Sequence, residues 1–275
     1  MIFDDRQCAL GEGPLWHPLR QQLFWFDINA HQLLTQGGMW QFDEYVSAAG
    51  WVDQDTLLVA SETQLFTLDL ETGDQTYVAA LEADNAVTRS NDGRADPQGG
   101  FWIGTMGKNC EAGAGAIYRF YQGAVRKLVG DITISNAICF APCGTRAYYC
   151  DTATKQIMTV ALDADGWPHG KPTVAVDLTQ SGEAPDGAVV DADGNIWNAQ
   201  WGSARVACYA PDGQFIRAVD VPGHHTTCPA FGGPDLTTLY VTSATQDLDA
   251  PDQNQGQTFA IPATAQGQKE HQVIL

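Results

Sequence analysis

The chain has 275 residues, 44% of them hydrophobic and 17% charged, with 14 Lys and Arg against 33 Asp and Glu for a formal net charge of −19. This composition can bury a sizeable core and excludes a disordered chain. So much negative charge repels phosphate backbones and anionic lipid, which excludes nucleic acid and the membrane surface as partners. No stretch reaches the roughly 18 uncharged apolar residues of a spanning helix. Asp4, Asp5 and Arg6 stand where an export signal would place its apolar run, so a cytoplasmic location is expected.

In chain order, one pattern recurs: a turn rich in Asp, Gly or Pro, then a short run of aromatic and β-branched residues. The runs are Phe24-Trp25-Phe26-Asp27, Leu57-Leu58-Val59-Ala60, Phe101-Trp102-Ile103-Gly104, Ala147-Tyr148-Tyr149-Cys150, Ile196-Trp197-Asn198-Ala199 and Leu239-Tyr240-Val241-Thr242, with starts 33, 44, 46, 49 and 43 residues apart. Most are followed by a second strand-like run, such as Gln64-Leu65-Phe66-Thr67-Leu68-Asp69 or Ala116-Ile117-Tyr118-Arg119-Phe120. Helical periodicity is weak throughout. Six units, each long enough for about four short strands, predict an all-β fold: a six-bladed β-propeller, residues 1–275 forming one domain. A propeller protects its sheet edges by closing its ring, and residues 2–8 are placed to complete the last blade beside residues 258–261.

Stepping back 10 to 12 residues from each run reaches the start of the strand nearest the central channel, where the chain has Glu12, Ser47, Asn91, Asn136, Asp186 and Thr227, with Arg89 beside Asn91. Equivalent positions form a ring at one depth, and polar groups converging on a ring mark a site. Glu12, Asn136 and Asp186 offer only oxygen, a set suited to a hard divalent cation such as Ca²⁺, Mg²⁺ or Mn²⁺, with positions left for water and substrate. Singly, each residue has a plainer explanation: Glu12 sits in a Gly-Pro turn, and Asn136 suits a left-handed turn. Pro185-Asp186-Gly187 has the same letters as Pro211-Asp212-Gly213, which falls 15 residues after its run, where an outer hairpin turn belongs. Phase, not the tripeptide, separates the two.

Other motifs carry less. The seven cysteines are odd in number and irregular in spacing, with no Cys-x-x-Cys pair, so small buried thiols are expected rather than disulfides or a zinc site. His224 and His225 precede the last inner strand, at the channel mouth or on the surface. Trp16, Trp102 and Trp197 read as packing between blades, and Trp201 as a pocket floor. No Gly-x-Ser-x-Gly elbow and no phosphate-binding loop occurs.

Gly11-Glu12-Gly13-Pro14-Leu15-Trp16, the stretch from Arg89 through Asn91, Asp92 and Gly93 to Pro97, Phe101-Trp102-Ile103-Gly104-Thr105-Met106, Ile134-Ser135-Asn136, Pro185-Asp186-Gly187 and Phe231-Gly232-Gly233 resemble the senescence-marker-protein/gluconolactonase/luciferin-regenerating-enzyme family, to which regucalcin and bacterial sugar lactonases belong. The resemblance runs in order from about residue 10 to residue 261. It implies a six-bladed propeller that hydrolyses a sugar-acid lactone with one bound divalent cation, Ca²⁺ first, with Mg²⁺, Mn²⁺, Zn²⁺ or Fe²⁺ as alternatives. The metal ligands it implies are Glu12, Asn136 and Asp186, with Asp186 also the catalytic base. The substrate-binding residues it implies are Arg89 and Asn91.

Two positions depart from the animal members: Lys108-Asn109 stands where they carry a substrate-contacting Glu, and Ala137 replaces a Gly. Lys108 at the pocket rim would favour lactones with a second carboxylate. The alternatives are a Ca²⁺-dependent phosphotriesterase-like hydrolase and a calcium- or ligand-binding propeller without catalysis. A monomer or small homo-oligomer is expected.

Overall fold

The computed structural model describes all 275 residues. The aromatic and β-branched runs form strands because successive side chains alternate between the two faces of a sheet, and here both faces are covered: Phe101–Gly107 is buried at every position. Twenty-four strands make six four-stranded antiparallel sheets. The one helical turn is the 3-10 segment Thr152–Thr154. No helix is long and apolar enough to cross a membrane.

Numbered in chain order, the six blades begin with the inner strands Gly11–His17, Val46–Trp51, Thr88–Ala95, Ser135–Phe140, Ala184–Val190 and His225–Gly232. Each inner strand packs against the next, and the last against the first. The chain is an all-β, six-bladed propeller, as its repeats predict. In five blades the strands run from channel to rim in chain order, while blade six takes its outermost strand, Ile2–Asp4, from the start of the chain. That strand pairs with Thr258–Pro262 through Ile2 opposite Phe259 and Asp4 opposite Thr258. Arg6 fastens it to blade one, donating to Asp4 Oδ1 at 2.7 Å and to the Thr35 carbonyl at 2.6 Å.

The core is not one mass. Six apolar clusters fill the six clefts between neighbouring blades. Aromatic pairs bridge the clefts: Trp16 stacks on Tyr240 with centroids 5.4 Å apart, Trp102 meets Phe140 edge-on at 5.5 Å, and Trp197 meets Phe231 at 5.7 Å. All seven cysteines are free; five are buried as expected, but Cys110 and Cys143 are exposed.

One irregularity repeats in every blade. Each inner strand slips register against its neighbour beside the ring position: between Glu12 and Leu15, Val46 and Ala48, Ser90 and Gly93, Asn136 and Cys139, Pro185 and Ala188, and Thr226 and Pro229. A bulge bends a strand and re-aims one side chain. Here six bulges at one depth turn polar groups toward the channel and bring the inner strands close. At Gly187 an added Cβ would lie 2.3 Å from Cys228 Sγ and 2.9 Å from its Cα. Gly187→Ala must therefore push blades five and six apart. We expect a loss of about 1–3 kcal/mol, read as a lower unfolding midpoint; an unchanged midpoint would contradict this close approach.

Candidate active site

The bulges build a pocket at the end of the channel where the inner strands begin. Its wall includes Glu12, Arg89, Asn91, Asn136 and Asp186, together with Leu10, Met106, Cys110, Ile134, Thr152, Ala184, Trp201, Gln246 and Asp247. All five residues singled out in the sequence lie in one wall. The other two ring members do not. Ser47 donates to Ser90 Oγ at 2.7 Å, and Thr227 donates to the Gly11 carbonyl, so both are spent tying inner strands together.

Glu12 and Asp186 face each other and are almost wholly buried. Burial pushes both carboxyls up; the Asp92 charge adds to it for Glu12, which is pushed up to about 8, and Glu12 and Asp92 add to it for Asp186. Gly13 N–H donates to Glu12 Oε2 at 2.9 Å. Without a cation, such a pair keeps a proton between its two members. No group of three His, Cys, Asp or Glu side chains converges on one point in this protein. A three-point oxygen set in this pocket would need a neutral donor beside the two carboxylates, and Asn136 lines the same wall. Its Nδ2 donates to Thr152 Oγ1 at 2.9 Å, and Thr152 donates in turn to the Pro185 carbonyl at 2.7 Å. That turns Asn136 Oδ1 towards Asn91, whose Nδ2 donates to it at 3.2 Å, and leaves its second lone pair for the pocket. An all-oxygen set with two excess negative charges and no nitrogen ligand fits a hard divalent cation.

Arg89 and Asn91 form a second group. Arg89 NH1 donates to Asn91 Oδ1 and to the Ser90 carbonyl, each at 2.8 Å, and Asn91 Nδ2 donates to the Ser135 carbonyl at 2.8 Å and to Asn136 Oδ1 at 3.2 Å. Burial pulls the Arg89 guanidinium down from its ordinary value, while Glu12 and Asp186 act the other way. Hydrogen bonds thus run from Arg89 through Asn91 and Asn136 to Thr152 and on to the Pro185 carbonyl, linking blades three, four and five.

Two features were not legible in the sequence. Thr152 lies in a turn, and only the fold brings it to Asn136. Asp92 adjoins Asn91 but points down the channel, where its Oδ2 accepts from Ile138 N–H at 2.6 Å; burial pushes its carboxyl up to about 6. This bond props the bulge after Asn136, in which Ala137 takes a left-handed φ of 56°. Trp201 does line the pocket, backed by His225, whose ring stacks on it at 4.2 Å while its Nδ1 meets the Gln246 carbonyl at 2.8 Å.

Lys108 requires a correction. Its ammonium is ion-paired with Glu62 and donates to the Ala86 carbonyl at 3.1 Å, and it does not line the pocket. Asn109 turns away to Glu111 Oε1 at 3.0 Å. Lys108 therefore offers no free charge to a second substrate carboxylate; the pocket wall takes Cys110 from this turn instead.

A family model described as SMP-30/Gluconolactonase/LRE-like region matches residues 10–245. The chain is 34% identical over 276 residues to L-arabinolactonase of Azospirillum brasilense, covering 94% of this chain and 90% of that protein. It is 33% identical over 249 residues to 6-deoxy-6-sulfogluconolactonase of Pseudomonas putida, covering 88% and 86%. Among solved structures, a calcium-binding protein, regucalcin, of Agrobacterium tumefaciens superposes with a TM-score of 0.97 at 41% identity, covering 100% of this chain and 97% of that one.

The buried pair sets a pH dependence. A carboxyl whose folded-state pKa lies above its unfolded value favours folding while protonated. For Glu12 that contribution is complete below about pH 4.5 and is lost as pH rises towards 8. The cation-free protein should therefore lose stability across this window, and Glu12→Gln should lose less. Added Ca²⁺ should raise the unfolding midpoint more at the alkaline end than at the acid end. Melts in chelator check the first two; identical slopes for both proteins would contradict the pair.

Proposed function

This chain belongs to the SMP-30/gluconolactonase/LRE-like family, and from that membership we infer that it is a sugar lactonase, a hydrolase of the cyclic esters of sugar acids. We propose further that the reaction uses a divalent cation held by Glu12, Asn136 and Asp186, with Ca²⁺ first. The observation that carries this is the meeting of two buried carboxylates and an oriented amide oxygen with Arg89 and Asn91 in a single pocket. The calcium-binding description of the regucalcin relative supports the choice of ion.

The bound cation supplies Lewis acidity to the lactone carbonyl. Asp186 takes a proton from the attacking water as its oxygen bonds to the carbonyl carbon. When the ring C–O bond breaks, Asp186 returns that proton to the departing ring oxygen, leaving an open-chain hydroxy acid. Arg89, through the Nε and Nη2 hydrogens left free by its bonds to Ser90 and Asn91, donates to the sugar hydroxyls, Asn91 Oδ1 accepts from them, and together they hold the ring in register. Leu10, Met106, Ile134 and Trp201 give the ring's carbon faces an apolar wall and thin out competing water.

The test is metal-dependent opening of glucono-, galactono-, xylono-, arabinono- and glucaro-lactones, followed with a pH indicator and corrected for spontaneous hydrolysis. Chelated protein should be inactive and recover with an added divalent cation. Asp186→Ala should lower kcat by about 10²- to 10⁴-fold, and Arg89→Ala should lower kcat/KM by about 10- to 100-fold. An unchanged rate for Asp186→Ala would remove it as the base. A folded, cation-binding protein that opens no lactone would leave a binding propeller.

A further inference from the structure

Residues 263–275 follow the last strand of blade six and cross the channel end opposite the pocket. The Ala263 and Gly267 N–H groups donate to the Thr237 and Leu236 carbonyls of blade six at 2.7 and 2.8 Å. In blade five, Ala192 N–H donates to the Gln266 carbonyl at 2.8 Å. Gln268 Nε2 then reaches the Val190 and Phe140 carbonyls of blades five and four at 2.9 and 3.1 Å. On blade two, Trp51 Nε1 donates to the Glu270 carbonyl at 3.0 Å, Val273 N–H donates to the Trp51 carbonyl at 2.9 Å, and the Val273 side chain is buried between blades two and three. The tail is a strap that closes the channel floor.

At its middle, Glu270 is ion-paired with Arg94, and both side chains are about nine-tenths buried. Arg94 lies on the inner strand of blade three, Thr88–Ala95, below Arg89, Asn91 and Asp92. Two carboxylates act on this guanidinium: Glu270 of the strap and Asp92 of its own strand. Its Nε has no hydrogen-bond partner. Removing one partner of a buried ion pair leaves the other charge uncompensated at high cost, which draws it to any carboxylate nearby. With Glu270 gone, Asp92, two residues away on the same strand, is the other carboxylate whose charge acts on Arg94, and Asp92 is already engaged in propping the bulge that aims Asn136.

We propose that Glu270 is a positioning residue for the pocket at the far end of the channel: it keeps Arg94 occupied, so that Asp92 stays on the Ile138 amide and Asn136 Oδ1 stays aimed at the cation. This rests on the reading of Glu12, Asn136 and Asp186 as cation ligands.

The test is calorimetric titration of Ca²⁺ alone into chelated full-length protein, with lactone kcat and KM measured alongside. Glu270→Gln keeps the shape of the side chain and removes its charge; it should weaken Ca²⁺ binding by about tenfold, the low end for residues that orient a metal ligand. Gln272→Ala cuts only the strap's 2.6 Å bond to the Val52 carbonyl and should leave the affinity unchanged. The double variant Arg94→Met with Glu270→Met leaves no guanidinium to draw Asp92 away, and should bind Ca²⁺ more tightly than Glu270→Gln. A merely structural strap would show no such rescue. Affinity within twofold of wild type for Glu270→Gln, or a double variant no tighter than the single, overturns the proposal. Wild-type protein that takes up no Ca²⁺, Mg²⁺ or Mn²⁺ overturns the cation reading itself.

Discussion

A four-stranded sheet with two apolar faces cannot stand alone in water, and every blade of this protein needs a neighbour on each side. Six such sheets satisfy one another only as a closed ring, so the clusters in the clefts depend on the last blade meeting the first. The pairing of Ile2–Asp4 with Thr258–Pro262, with Arg6 reaching across to Thr35, makes that closure hydrogen-bonded as well as apolar. The channel is a consequence of closure: the inner strands cannot converge on the axis, and the groups they present there face one another across a narrow polar space.

That space is where local stability is given up. Glu12 and Asp186 are buried against each other, Asp92 is buried below them, and each carboxyl is pushed up chiefly by burial. Such an arrangement disfavours the empty fold near neutral pH and favours whatever brings positive charge to the pocket. The same burial that costs stability would let the proposed cation act on a lactone carbonyl in little water, where electrostatics is strongest. Surrounding hydrogen bonds then decide orientation: Thr152 turns the Asn136 amide, Asn91 joins it to Arg89, and Asp92 props its bulge.

The two ends of the channel are joined by one strand. Thr88–Ala95 carries Arg89 and Asn91 at the pocket and Arg94 at the floor, with Asp92 between them. Its charges are answered from above by Glu12 and Asp186 and from below by the C-terminal strap. The placement of the strap is therefore part of the electrostatics of the pocket as well as part of the packing of the floor.

The repeat, the number of blades and the depth of the pocket are legible in the chain alone, because they depend on local signals: aromatic and β-branched runs, turn residues, and polar positions in constant phase. Glu12, Arg89, Asn91, Asn136 and Asp186 could be picked out because a propeller converts equal phase into spatial proximity. The outer strands were fainter, since Gln75–Ala80 and Pro168–Asp177 face solvent and lack an apolar pattern. What those five residues touch depends on the folded ring. Thr152 ties Asn136 to Pro185 of blade five, Asp92 reaches Ile138 of blade four, Lys108 is neutralised by Glu62 from another blade's loop, and Glu270 meets Arg94 across 176 positions of sequence. Such pairings leave no periodicity to read, because they depend on where a closed ring brings distant loops and the tail together.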